Sequence, residues 1–311
     1  MRHHLLNQFQ GIAIGATLGW KLGDRTPPEI SHPHSPRSPL SSHLGIEETP
    51  NCIEIAATHL IEFGRIQPAG FAQIVAALPP KIQAIDRIDA WIATLLVAMF
   101  CHEDATALSP NLRQAIAVLQ LPPEYADGVL AIGYAIARIL NANCPPTKLL
   151  PQTLSYLQAL AANPILVQQL TTVQTLLAEG AGVEGTRRLS SEASRHPQPE
   201  IAQFFASISL AIYCVLDTPD DVRLSVLRAL RLRSHPQLAA IMAGALAGAY
   251  NGATGLPVEW CMALGRAREA QIQRISTQLW AAWSGIDRVD RLPQNLPLVT
   301  APGVLRTFRS S

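Results

Sequence analysis

Glycines repeat at every fourth residue in two helical segments that lie at opposite ends of the chain. The repeats consist of Gly11, Gly15, Gly19 and Gly23 near the N-terminus and of Gly244, Gly248 and Gly252 near the C-terminus. A glycine inside a helix costs about 1 kcal/mol relative to alanine, so a helix with several glycines must recover that free energy elsewhere. Residues four apart lie on one face of a helix. We therefore predict that the two glycine faces cross in close backbone contact.

A pair of membrane-spanning helices is the competing explanation for such a repeat. A helical span needs roughly 20 predominantly apolar residues, and neither glycine-rich segment contains an apolar run of that length. The apolar run Ala90–Cys101 is also too short and is interpreted as a core helix. The sequence therefore predicts no membrane association.

The C-terminal repeat belongs to the segment 217–260, which the residue pattern divides into two helices. The first has a start signal at Asp217 or Thr218, either of which can cap it, followed by a proline and two aspartates. Its apolar stripe at helical spacing consists of Val222, Val226, Leu227 and Leu230. The second helix is predicted to begin at Ser234 or His235, with a proline in its first turn.

The amino-acid composition and the positions of the prolines favour an all-α protein. Hydrophobic residues make up 48 % of the chain and charged residues 15 %. Segments with helical periodicity are separated by proline pairs, and no segment alternates like a half-buried strand for long. We predict a single-domain helical bundle over residues 1–290, with an irregular loop at 24–50 and a second, polar loop at 180–199. The remaining residues, 291–311, are predicted to form an irregular tail.

Charge and cysteine usage limit the partners and the compartment. The formal net charge is +1, which provides no electrostatic footprint for nucleic acid or for an anionic membrane. The five cysteines occur singly, without a C-x-x-C pair, as is typical of reduced thiols. No secretory signal is recognisable near the N-terminus. We therefore expect a cytoplasmic protein with no nucleic-acid partner.

Two segments carry a resemblance to a known family. Gly11–Glu29 contains G-x-x-x-G-x-x-x-G followed by P-x-E, and Leu238–Trp260 contains A-A-I-x-A-G-A-L-A-G-A-Y-x-G and ends in L-P-x-x-W. Together they resemble the ADP-ribosylglycohydrolase family, whose members remove ADP-ribose from modified dinitrogenase reductase, arginine and serine. The resemblance implies an all-helical fold of the ADP-ribosylglycohydrolase type. It also implies a possible small-molecule partner, ADP-ribose or another anion.

The resemblance further implies two magnesium ions held by carboxylates in a cleft between helix ends. The family takes these ligands from a T-D-D-T-like segment, from G-G-D-T-D-T and, in many members, from G-D-x-L-G. Here Ser234 and Pro236 replace the aspartates of the second motif, and Trp20 replaces the aspartate of the third. Because magnesium needs several oxygen ligands, we predict that this metal site is lost. The remaining candidate acids are Asp24, Glu29, Glu47 and Glu48, among which Glu29 and Glu48 are the candidate catalytic residues.

The junction between the two helices of segment 217–260, at residues 231–236 and here called the corner, could hold an anion without a metal. A helix that begins at Ser234 or His235 presents backbone N–H groups and the positive end of its dipole. The basic residues Arg231 and Arg233 add positive charge there. We therefore take Arg231, Arg233, Ser234 and His235 as a candidate site for a phosphate or carboxylate. The alternative is that both arginines belong to the solvated last turn of the preceding helix, where cations suit the dipole.

Three functions are open at this point. The leading interpretation is a protein with the ADP-ribosylglycohydrolase fold that lacks hydrolase activity and acts by binding or assembly. The first alternative is an active glycohydrolase with a displaced single metal on Glu29 and Glu48. The second alternative is an interaction scaffold without a ligand pocket.

Overall fold

The computed structural model describes residues 5–24, 50–66, 88–141, 144–231 and 235–285. Within these ranges the chain forms thirteen α-helices and two short 3-10 turns, without a strand. The helices are α1 (Leu5–Asp24), α2 (Pro50–Phe63), α3 (Ile88–Phe100), α4 (Ala105–Val118), α5 (Ala126–Leu140), α6 (Pro146–Ala159), α7 (Pro164–Ala178), α8 (Gly182–Arg195), α9 (Pro199–Asp217), α10 (Val222–Ala229), α11 (Pro236–Asn251), α12 (Val258–Leu264) and α13 (Arg266–Ser284). The all-α prediction is confirmed.

The two glycine-rich helices cross in direct backbone contact, as predicted. A Cβ atom built on Gly15 would lie 2.1 Å from the carbonyl oxygen of Gly244, and one built on Gly248 would lie 2.0 Å from that of Gly11. Real Cβ atoms essentially never approach other atoms this closely. Alanine at either position would therefore force the backbones of α1 and α11 apart.

Helix α9 lies in the core and is covered by neighbouring helices, including α7, α8, α10 and α11. Among the described helices, it is the one with the length and hydropathy of a membrane span, and 72 % of its apolar stretch is buried inside the protein. Helix α3 is likewise buried along Ala90–Met99, which confirms the core helix predicted there. The buried hydrophobic side chains form a core cluster that includes residues of both glycine-rich helices.

The polar loop predicted at residues 180–199 is wrong for most of its length, because α8 occupies it. Only one narrow face of α8 is buried, where Leu189 and Ala193 meet the core. Charged and serine side chains cover the rest of the helix. The small number of apolar residues made this segment resemble a loop in the sequence. In the structure, packing against α7 and α9 stabilises it as a helix.

The predicted start of α10 is also wrong. Asp221 caps the helix, because its Oδ1 accepts a hydrogen bond of 2.8 Å from the backbone N–H of Leu224. Thr218 instead ends α9, where its hydroxyl donates to the carbonyl of Cys214 at 2.9 Å. The predicted apolar stripe holds for Val222 and Val226, whereas Leu227 is exposed.

Helix α11 begins as predicted, with His235 in the N-cap position and Pro236 as the first helical residue. The proline suits this position because the first N–H of a helix has no partner within the helix. The predicted domain boundaries and most of the irregular loop at 24–50 lie outside the described residues, and so does the tail at 291–311.

Candidate functional site

The crossing of α1 and α11 brings the C-terminal end of α1 against the N-terminal end of α11. The side-chain amide of Gln237 donates a hydrogen bond of 3.3 Å to the backbone carbonyl of Trp20. A Cβ atom on Gly23 would lie 2.8 Å from Cγ of Gln237. Two sequence positions singled out as replaced metal ligands, at Trp20 and around Pro236, are therefore neighbours in the fold.

The start of α11 has an unusual backbone conformation. His235 has a φ of +50°, in the left-handed region, and its side chain makes no capping hydrogen bond to the helix. Pro236 has no N–H group, so the first backbone donors of α11 belong to the residues that follow it. The N-terminus of α11 thus offers fewer donors to an anion than a helix that starts without proline.

Of the other predicted site residues, the structure describes Arg231 at this corner. Arg231 is exposed just after the end of α10, and its backbone N–H donates to the carbonyl of Arg228 at 3.1 Å. This position is the one expected if Arg231 belongs to the solvated last turn of α10. Four further candidates, Glu29, Glu48, Arg233 and Ser234, lie outside the described residues.

The lysine that follows Trp20 connects the corner to a third helix. The ammonium group of Lys21 donates a hydrogen bond to the backbone carbonyl of Ala263, near the C-terminal end of α12. A cation suits that end of a helix because the last carbonyl groups have no partner within it. The candidate site is therefore bordered by α1, α11 and α12.

A family model now identifies the chain. The model described as ADP-ribosylglycohydrolase matches residues 75–288, which is more than half of the chain. The chain belongs to the ADP-ribosylglycohydrolase family. No curated protein matches the sequence. The matched residues include α11 and the corner before it, whereas α1 precedes them, so its assignment to the site rests on its packing against α11.

The family resemblance implies a magnesium site at this corner. The described residues of the corner do not fit a magnesium ion. Pro236 has no ligand atom in its side chain, and the amide of Gln237 faces the carbonyl of Trp20. Magnesium prefers carboxylate and water oxygens in octahedral geometry, and an imidazole such as that of His235 suits other metals better. Among the described residues, no group of three His, Cys, Asp or Glu side chains could hold a metal ion.

The structure also reveals a buried polar cluster behind the corner, which the sequence did not indicate. The guanidinium of Arg228, only 3 % exposed, forms an ion pair with Asp217 and donates to the carbonyl of Gly182 at 2.9 Å. It also lies 5.3 Å from the ring centre of Tyr213, whose hydroxyl donates to the same carbonyl at 2.7 Å. Burial and the nearby Asp217 carboxylate raise the pKa of Tyr213. The cluster joins α8, α9 and α10 just before the corner.

The short acidic segment after α3 has a structural role. His102 is buried, with Nδ1 2.7 Å from the carbonyl oxygen of Met99 and its ring 4.7 Å from that of Trp283. Asp104 caps α4, accepting a hydrogen bond of 2.9 Å from the N–H of Thr106. The acidic residues Glu103 and Asp104 are exposed, whereas His102 beside them is buried.

The buried thiols are not activated for nucleophilic chemistry. Burial, with a smaller contribution from Asp104, raises the pKa of Cys101 to about 11. Burial also raises the pKa of Cys214 to about 12. A thiol that stays protonated at neutral pH is a poor nucleophile.

Proposed function

We propose that this ADP-ribosylglycohydrolase family member does not hydrolyse ADP-ribose and acts by binding or assembly. The supporting observation is the contact between Gln237 and Trp20 at the corner where the family resemblance calls for magnesium ligands. An amide and a backbone carbonyl satisfy each other there, next to a proline. Without carboxylates at these positions, the proposed cleft cannot polarise water through a pair of magnesium ions.

We further propose that the ligand is ADP-ribose or another small anion. Family membership supports an ADP-ribose-type ligand, and the exposed Arg231 supports an anion. The candidate contacts are Arg231, Arg233, Ser234 and His235, with the arginines as the charged partners of a phosphate. The proposed cytoplasmic location is supported by the free thiols of Cys101, Cys144, Cys214 and Cys261.

Hydrolysis tests the first proposal. The purified full chain would be incubated with arginine- and serine-linked ADP-ribosylated peptides, with magnesium and with EDTA. We expect no release of ADP-ribose above the buffer control under either condition, and no saturable heat when magnesium is titrated into the protein.

A magnesium-dependent turnover that is abolished in Glu48→Gln would contradict the proposal and support the displaced-metal alternative. The matched control is Glu62→Gln, since Glu62 is an exposed glutamate on α2. Loss of turnover in both variants would point to a general effect of removing a carboxylate from this region of the chain.

Binding tests the second proposal. We expect ADP-ribose to raise the melting temperature of the full chain and Arg233→Ala to remove that increase, because a phosphate would lose a charge-assisted hydrogen bond. The control is Arg195→Ala, which changes an exposed arginine at the end of α8. If ADP-ribose leaves the melting temperature unchanged, the scaffold alternative is favoured.

A further inference from the structure

Exposed apolar side chains are concentrated on one part of the described surface. Among the described residues, six large hydrophobic side chains are exposed. Five of them lie on α8, α10 and α12, and these five, here called the apolar strip, are Val183, Leu224, Leu227, Val258 and Met262. The sixth is Phe63 on α2. Large apolar groups that are exposed singly are common, whereas a contiguous group marks an interaction surface.

Two polar contacts show that the helices of the apolar strip are neighbours. The guanidinium of Arg228 on α10 reaches the carbonyl of Gly182, the residue before Val183. On the other side of α10, Arg223 forms an ion pair of 3.3 Å with Glu259 on α12. The start of α8 and the helix α12 are therefore both within side-chain reach of α10, and the apolar strip extends over these three helices.

The outward position of these residues is set by the buried face of α10. Val222 and Val226 lie on the buried face of α10, whereas Arg223 and Leu227 lie on its exposed face. On α12, Val258 and Met262 are 71 % and 75 % exposed, and Glu259 lies between them. Leu227 and Met262 are exposed and are not part of the core.

The two charged residues beside the apolar strip, Arg223 and Glu259, carry opposite charges. The Arg223 and Glu259 side chains are 57 % and 78 % exposed, so each can also pair with a group on another molecule. A partner that matches this surface must present apolar groups together with one cation and one anion. A second copy of the same strip, related by a twofold axis, does so, and twofold contacts are by far the commonest in soluble homo-oligomers.

We infer that the apolar strip is the interface of a homodimer. In this contact the strips of two copies pack against each other antiparallel, and Arg223 of each copy pairs with Glu259 of the other. Burial of the two strips supplies the hydrophobic free energy, and the crossed ion pairs set the register. This interface does not depend on whether the protein hydrolyses or binds ADP-ribose.

Association of the full chain is the first measurement. Sedimentation velocity over a micromolar concentration range should show a dimer for the wild type. Leu227→Glu and Met262→Glu should each weaken the dimer about tenfold or more, because each buries an uncompensated charge at the contact. The matched control, Phe63→Glu, introduces the same charge at the exposed hydrophobic residue outside the strip and should leave the dimer unchanged.

Charge reversal identifies the crossed ion pairs. Arg223→Glu and Glu259→Arg should each weaken self-association, since like charges then face each other across the twofold axis. A mixture of the two variants should form a heterodimer about as strong as the wild-type dimer, because every reversed charge then faces its opposite. If the ion pair contributes only within one chain, mixing the two variants would not restore their association.

Three outcomes would overturn the inference. The first is a wild-type chain that stays monomeric throughout the micromolar range, whether the strip is bare, is covered by residues 286–311 of the same chain or binds another protein. The second is a dimer that Leu227→Glu and Met262→Glu leave intact while circular dichroism shows normal helix content. The third is a mixture of the charge-reversal variants that associates no better than either variant alone.

Discussion

The side chain of Arg228 holds three helices, α8, α9 and α10, in contact with one another. It is buried, and its partners are the carboxylate of Asp217, the carbonyl of Gly182 and the ring of Tyr213. A buried charge is tolerated only while it is paired and hydrogen-bonded. The contacts made by this one side chain therefore set the position of α10 relative to α8 and α9.

Removing the charge of Asp217 should be strongly destabilising. We expect Asp217→Asn to lower the free energy of unfolding by about 3–5 kcal/mol, because the charge of Arg228 is left buried without compensation. Urea denaturation followed by circular dichroism measures the change. Glu184→Gln is the control, since it breaks the exposed ion pair with Arg187 and should leave the urea midpoint unchanged. Equal midpoints for both variants would contradict the role given to Arg228.

Among the described helices, α1 and α11 pack backbone against backbone, because glycine removes the side chains between them. The carbonyl oxygen of Gly244 occupies the space that a side chain on Gly15 would need. The two helices come from opposite ends of the described chain, so this contact also joins those ends.

Gly15→Ala should destabilise the protein, although alanine is the better helix former. Helix propensity alone predicts a gain of about 1 kcal/mol for this substitution. Overpacking costs typically about 1–3 kcal/mol, and here the clash is with backbone atoms rather than with a flexible side chain. We expect a net loss of about 2 kcal/mol, measured as a lower urea midpoint.

The control for this substitution is Gly23→Ala in the same repeat. Its Cβ atom would meet Gln237, mainly the flexible side chain, at 2.8–3.0 Å. The loss of stability should therefore be smaller than for Gly15→Ala. A gain in stability for Gly15→Ala would show that the two helices can separate at little cost.

The cap of α10 provides a second test at the scale of a helix. Asp221→Ala should cost about 1 kcal/mol of stability, because the N–H of Leu224 loses its partner. Asp220→Ala should have a smaller effect, since the structure assigns the cap to Asp221. The two variants can be compared directly by their thermal unfolding midpoints. A larger effect at Asp220 would contradict the observed start of the helix.

Across the whole molecule, buried thiols should make the protein sensitive to alkaline pH. The pKa of Cys214 is raised from 9.0 to about 12 by burial. In the unfolded chain this thiol ionises near pH 9, while in the folded protein it stays protonated. The unfolded state then binds fewer protons, so stability falls as the pH rises from 9 towards 12 and is fully present below pH 9.

The alkaline loss can be assigned to Cys214 by substitution. We expect the urea midpoint of Cys214→Ala to fall less between pH 8 and pH 10.5 than that of the wild type. Val215→Ala creates a cavity at the neighbouring buried position without removing a titrating group, and it should keep the wild-type pH dependence. Equal pH dependence in all three proteins would mean that other groups cause the alkaline loss.

Part of the candidate site could be predicted because it depends on steric patterns in the sequence. The glycine repeats predict the α1–α11 crossing, and the crossing brings Trp20 next to Gln237. The polar cluster around Arg228 could not be predicted in this way. Arg228 lies 46 residues from Gly182 in the chain, and an arginine in the last turn of a short helix normally points to solvent.

The sequence by itself determined features that depend on short-range sterics and on periodicity, although it did not reveal α8 or the start of α10. Examples are the start of α11 at Pro236 and the glycine faces of both long helices. Only the tertiary structure decided which polar groups form hydrogen bonds or ion pairs with each other. By local rules Asp217 could cap a helix, but its carboxylate pairs with the buried guanidinium of Arg228 instead. An uncompensated charge in the low-dielectric interior costs more free energy than the loss of one helix cap.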